Sequence, residues 1–184
     1  SIDLTGATRI GDSAFLKENM TPFEVKLGDK LVDIGENPFA MCKLSGFAST
    51  YFEEFNGQKF EKPTSTFDIS ETVKVIDGML YRVVPNGLEL ITYTGDATLV
   101  TVANGTVRIA AQAFAGSGVV QVVLPSTMRA IGHKAFYDCD NLTSVSIGNS
   151  VTTIGDGAFS RCTSLTSVYI TDIAAWCGIE FESY

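Results

Sequence analysis

Met128–Ser150 reads MRAIGHKAFYDCDNLTSVSIGNS, and the stretch that follows, Val151–Ile173, reads VTTIGDGAFSRCTSLTSVYITDI. Ten of the 23 positions are identical: Ile, Gly, Ala, Phe, Cys, Leu, Thr, Ser, Val and Ile, spaced I-G-x-x-A-F-x-x-C-x-x-L-T-S-V-x-I. Self-similarity at a period of roughly 20–50 residues marks an array of stacked structural units, and it outweighs any local reading of helix or strand.

Each motif position has a physical task. Val145 and Ile147 alternate with Ser144 and Ser146, as in a strand that turns alternate side chains inward. Stacking such coils pairs the short strands into one parallel sheet. The Ile131-Gly132 step turns the chain, and its glycine is read as a residue free to take unusual backbone angles. Ala135 and Phe136 are read as a tight helical turn, the small residue allowing close approach and the ring filling the coil. Phe15, Phe39, Phe114, Phe136 and Phe159 share that position and are expected to form a stacked aromatic spine.

Outward from the clear pair, the period continues in worn copies. Val107–Phe114 carries Ala110 in place of the glycine, and Ser117 takes the cysteine position. Two further copies run through Arg9–Phe15 and Leu31–Cys42; in the second, Pro38 replaces the alanine and the strand after Cys42 is poorly formed. The repeats are therefore placed at about 1–30, 31–47, 97–127, 128–150 and 151–172, within a single domain spanning 1–184. Residues 48–96 break the rhythm as an insert. Ala48–Thr66, with Tyr51, Phe52, Phe55 and Phe60, reads either as a short helix or as a loop pinned by its aromatics. Val73–Ile76, Met79–Val84 and Leu88–Tyr93 are separated by Asp77-Gly78 and Pro85-Asn86-Gly87. Such turns between β-rich runs predict a hairpin or three-stranded meander. Residues 173–184 lack the motif and read as a cap, with Trp176 and Phe181 as its plug, because an end coil must cover its flat face.

Composition narrows the function classes. The chain has 184 residues and a net charge of −8. An acidic chain with no basic patch is a poor partner for nucleic acid or anionic membranes. No apolar run approaches the ~18 residues of a membrane-crossing helix, so no membrane insertion is expected. No signal peptide is visible, and the chain opens on Ser1 rather than an initiator methionine, which points to a trimmed or expressed fragment.

These residues resemble the BspA-like, or Treponema-type, leucine-rich repeats of bacterial surface proteins. The resemblance rests on the motif at 131–147 and 154–170, on Asn37-Pro38-Phe39 followed by the V-I-D-G-M-L-Y run at 75–81, and on Ile173–Phe181. It implies a leucine-rich repeat solenoid, α/β and horseshoe-like, of mostly short parallel strands with tight helical turns. It also implies secretion or display on a bacterial cell surface, and adhesion to host extracellular proteins or other cells rather than catalysis. Two departures stand out. The array is short, at about five repeats, and the insert is expected to interrupt the concave sheet.

Each candidate site has a plainer reading beside it. Cys139, Cys162 and the nearby Cys177 sit at or close to one repeat position. Adjacent coils bring Cys139 and Cys162 within disulfide range, but stacked side chains point the same way, which favours reduced thiols buried in the core. A His133–Cys139 dyad needs an exposed, low-pKa thiol, and a zinc site from Cys139, Cys162, Cys177 and His133 has spacings set by the repeat, not by a knuckle. Asp138, Asp140 and Asn141 lack the calcium-loop pattern. No phosphate loop or nucleophile elbow occurs, so neither an enzyme nor a cofactor is expected. The outward strand positions remain: Gln121, Val123, Ser144, Ser146, Ser167 and Tyr169, two stripes suited to a protein partner. Val123 and Tyr169 are the natural anchors, as apolar or aromatic residues facing solvent. The second reading is a structural spacer or self-assembling module of a larger surface protein.

Overall fold

The structure is a computed structural model. It describes residues 1–15, 22–36, 38–39, 42, 44–49, 52–55, 58–61, 67–68, 70–93, 95 and 97–183. Each V-x-I triplet becomes the centre of a short strand, and these strands stack in parallel as a front ladder: Leu99–Thr101, Gln121–Val123, Ser144–Ile147 and Ser167–Ile170. The residues preceding each Gly or Ala turn form a rear ladder: Thr106–Ile109, Ala130–Ile131, Thr153–Ile154 and Glu180–Phe181. Val122 and Val145 from the front meet Ile109, Ile131 and Ile154 from the rear in one buried core. The chain is a two-faced solenoid, each coil covering its neighbour's apolar edge.

The turn that carries Ala and Phe is not a helical turn, contrary to expectation. Gln112, Phe114 and Gly116 donate their amides to His133, Ala135 and Tyr137 of the next coil, and Lys134, Phe136 and Asp138 donate to Asp156, Ala158 and Ser160. These amides therefore form a third seam between coils and are not spent within one. Left-handed residues break any helix here: Gln112 (φ 57°), Lys134 (φ 51°) and Gly157 (φ 61°) share one repeat position, and Gly116, Asp138 and Arg161 share another. A left-handed L-residue costs about 1–2 kcal/mol, which the seam offsets.

The motif glycine has a different role from the one expected. Its φ is not positive. A Cβ on Gly155 would lie 2.5 Å from the amide nitrogen of His133, and one on Gly132 2.7 Å from that of Ala111. Close stacking of coils, not backbone freedom, demands glycine. Ala110 fits because the strand beneath it belongs to the insert rather than to another I-G turn; its amide bonds the carbonyl of Leu90 at 2.9 Å.

The expected spine forms in two pieces. Phe114 stacks on Phe136 at 4.7 Å and Phe136 on Phe159 at 5.1 Å, while Phe15 stacks on Phe39 at 5.3 Å. Tyr93 of the insert extends the C-terminal piece, 5.1 Å from Phe114.

The insert contains the expected meander, Val73–Ile76, Met79–Val84 and Gly87–Tyr93, turning at Asp77 (φ 49°) and Gly78 (φ 74°). As expected, it separates the front strands of the N-terminal coils (Ile2–Leu4, Phe23–Leu27 and Leu44–Ser49) from the front ladder, the two forming separate sheets, and among the described residues it adds a strand to neither. Gly87–Tyr93 pairs in parallel with Thr106–Ile109, so the meander extends the rear ladder instead. Phe52–Phe55 and Gln58–Glu61 form an antiparallel hairpin rather than a helix or loop; Tyr51, Gly57 and Pro63 lie outside the described residues. The strand after Cys42 is also better formed than its sequence promises. Leu44–Ser49 pairs with Phe23–Leu27, which pairs with Ile2–Leu4, and Arg9–Ile10 pairs with Asp33–Ile34.

At the C-terminus a short helix, Ile173–Cys177, starts on Asp172, whose carboxylate accepts from the amides of Ala174 (2.8 Å) and Ala175 (3.1 Å). Trp176 packs on the core and Ile179 is buried, but Phe181 is 61% exposed, so the plug is Trp176 with Ile179. Glu180 and Phe181 cover the rear ladder. Ser167–Ile170 ends the front ladder, leaving Val168 and Ile170 exposed where Val145 and Ile147 are buried.

Candidate binding face

The front ladder's register sets its outward residues in two stripes. Leu99, Gln121, Ser144 and Ser167 are in line, and so are Thr101, Val123, Ser146 and Tyr169. All six expected residues are brought together, and Leu99 and Thr101 join them. That extra strand went unread because it precedes any I-G turn and looks like the end of the insert. The signal was present: Val100, Val122, Val145 and Val168 keep the period.

Leu99 (55%), Val123 (43%) and Tyr169 (61%) are the exposed large side chains of this face, while Ser144, Ser146 and Ser167 lie half-buried between strands. None of the eight residues is charged, although the chain carries −8. The rear ladder carries ion pairs. Glu89, buried, accepts from Arg82 Nε at 3.0 Å and lies 3.2 Å from Arg108 Nε, and Arg9 pairs with Asp33 at 2.8 Å. The front face is uncharged and carries the exposed Leu99, Val123 and Tyr169, in keeping with an interface centre, where charge is depleted and aromatics enriched.

The repeat's threonine is structural. Thr143 Oγ1 donates to the carbonyl of Val120 at 3.1 Å, and Thr166 Oγ1 to that of Thr143 at 3.4 Å. The cysteines behave alike: the thiols of Cys139 and Cys162 donate to the carbonyls of Phe114 and Phe136, each at 3.0 Å, and Cys42 donates to Phe15. Cys139, Cys162 and Cys177 are free thiols. Burial raises the Cys139 thiol above its usual pKa and pushes that of Cys162 up to about 11, with Cys139 a further cause for Cys162. Such thiols are poor nucleophiles.

His133 lies beside Asp156, at 3.8 Å, one coil on, while the Cys139 thiol faces the Phe114 carbonyl. The dyad is thus not assembled. Cys177 is exposed at the end of the cap helix. Asp140 Oδ1 accepts from Thr163 Oγ1 at 2.9 Å, an inter-coil bond rather than a vacant ligand set. Among the described residues no three His, Cys, Asp or Glu side chains gather to hold a metal, and no helix is long and apolar enough to cross a membrane.

Parallel coils of about 23 residues, a V-x-I front ladder and an I-G rear turn define a leucine-rich repeat solenoid. The family model for the BspA type leucine rich repeat region matches six copies over residues 1–96 and 89–176, and the chain belongs to that family. A comparison with curated proteins found no match. Among solved structures the chain is similar to a leucine rich cell surface protein of Faecalibacterium prausnitzii A2-165, with a TM-score of 0.52 and 22% identity over 96% of this chain and 55% of that one. It is also similar to the pneumococcal vaccine antigen PcpA, with a TM-score of 0.65 and 21% identity over 85% of this chain and 35% of that one. The chain thus spans about half or less of these relatives' lengths, and at such identities the likeness is one of fold.

Proposed function

We propose that the chain is a protein-interaction module of a secreted or surface-displayed bacterial protein, binding a protein partner, such as a host extracellular protein, on its front ladder. The observation that carries this is the uncharged double stripe ending in exposed Tyr169, with Val123 and Leu99 as further anchors. Nothing in the cysteine, histidine or aspartate geometry supports a reaction. The test is a pull-down of host and bacterial extracellular proteins on the folded chain, repeated with Val123→Lys/Tyr169→Lys. A captured protein lost by the variant, while the variant keeps its unfolding midpoint, supports the assignment; a partner retained equally well refutes this face.

A second reading, a spacer or assembly module, is favoured by one observation. The end strand Ser167–Ile170 exposes Val168 (43%) and Ile170 (37%) at positions buried in every earlier coil of the front ladder. Sedimentation showing concentration-dependent dimers that Val168→Asp abolishes would favour that reading; a monomer at all concentrations would count against it.

A further inference from the structure

We propose that the solenoid carries one internal joint, between the N-terminal coils (residues 1–49) and the meander with the C-terminal coils (residues 70–183), at which the N-terminal coils open as a unit. Ladder pairing stops at this boundary. The N-terminal strands pair only among themselves, the meander pairs only with the C-terminal rear ladder apart from the short strand Phe67–Asp68, and among the described residues no strand pairs across. From Thr106 to Ile170 successive coils are joined by two ladders and a seam of turn amides, and the N-terminal coils are joined likewise, by Ile2–Leu4 with Phe23–Leu27, Arg9–Ile10 with Asp33–Ile34, and the Ser13 and Phe15 amides to Glu36 and Pro38.

Contact across the joint is made mainly by side chains. The meander is a wall with two apolar faces. Met79, Tyr81 and Leu90 enter the C-terminal core, while Val73, Val75, Leu80 and Ile91 enter the core of Ile10, Val25, Leu27, Leu31, Ile34 and Phe39. Among the described residues two side-chain hydrogen bonds span the boundary, from Thr72 Oγ1 to the carbonyl of Val32 at 2.7 Å and from Arg82 Nη1 to that of Ile34 at 2.9 Å. Arg82 is held in place by the buried carboxylate of Glu89, which Arg108 steadies from the other side. The Glu89 clasp thus belongs to the wall, and its arginine reaches across. Opening breaks these two hydrogen bonds and uncovers the Val73, Val75, Leu80 and Ile91 face; the N-terminal coils, whose core that face completes, then unfold as a unit, while the C-terminal ladders stay paired. Regions with fewer spanning backbone bonds open at lower free energy than the global transition.

Equivalent amides on the two sides provide the test. Gly35 donates to Ile10 at 2.8 Å, and Gly132 and Gly155 donate to Ile109 (2.9 Å) and Ile131 (2.8 Å). In native-state hydrogen exchange on the full chain, Gly35 is expected to show a protection factor at least roughly tenfold below those of Gly132 and Gly155. Thr72→Val with Arg82→Ala, which leaves Glu89 paired to Arg108, should lower Gly35 protection by roughly another tenfold or more and leave Gly132 unchanged. Equal protection of the three glycines in the native chain, or an equal loss at all three in the variant, overturns the joint.

Discussion

The N-terminal and C-terminal coils follow one motif but reach stability by different means. From Thr106 to Ile170 each coil covers the next: two ladders, a seam of turn amides, and the rings of Phe114, Phe136 and Phe159 stacked at about 5 Å. Among the described residues of 1–49, Phe15 and Phe39 stack, with Phe47 edge-on, and the core is completed by the back of the meander. A regular repeat supplies its own cover, whereas a worn one depends on an insert that has two apolar faces.

The largest expected difference lies in the spine. Phe136 is fully buried between two rings, and Phe136→Ala should cost about 3–5 kcal/mol in urea unfolding; Phe15, half-buried at the outer end of its pair, should cost about 1–2 kcal/mol on the same change. Equal losses would break the contrast. Next comes the motif glycine. Gly155→Ala forces a Cβ against the backbone of His133 and should cost about 1–3 kcal/mol, while a Cβ on Gly11 meets nothing within 4 Å. Gly11→Ala should therefore be neutral or slightly stabilising, by the same titration. Gly157→Ala, at a left-handed position, should cost about 1 kcal/mol, visible as a small drop in thermal midpoint.

The mildest effect is expected with pH. The Cys162 thiol rises in the fold from 9.0 to about 11, and Tyr81 from 10.0 to about 12, each chiefly by burial. A folded pKa above the unfolded one means that the neutral form is the stabilised one. Its contribution is complete below about pH 9 and is lost as pH rises through 11 for the thiol and 12 for the phenol. Urea midpoints at pH 8, 10 and 11 should be level at first and then fall; Cys162→Ser should lessen the fall beginning near pH 9. A midpoint unchanged to pH 11 would contradict the buried-thiol assignment.

Much of this was readable in the chain. The period, the alternation of Val145 and Ile147 with Ser144 and Ser146, and the Asp77-Gly78 turn are properties of single coils, and they placed the strands, the spine and the six stripe residues. What escaped depends on neighbours. The glycine of I-G acts through the coil beneath it, and the Ala-Phe turn gives its amides to the coil above, so neither shows in one repeat. Lys134 and Gln112 sit at φ values that sequence assigns to glycine or asparagine. Phe181 looked like a plug by its size, yet Ile179, two residues earlier, is the one directed inward. Leu99 and Thr101 were hidden because their strand precedes the first resumed I-G turn.

The account stands on the phase of the front strands, because that phase separates packing residues from the candidate binding face. Val122 and Val123 are adjacent, yet one is 2% and the other 43% exposed. Urea unfolding of Val122→Lys and Val123→Lys tests this most directly. Val123→Lys should stay within about 0.5 kcal/mol of the parent, and Val122→Lys, burying a charge, should lose more than about 4 kcal/mol or fail to fold. Equal losses, or the reverse order, would contradict the assignment of the face.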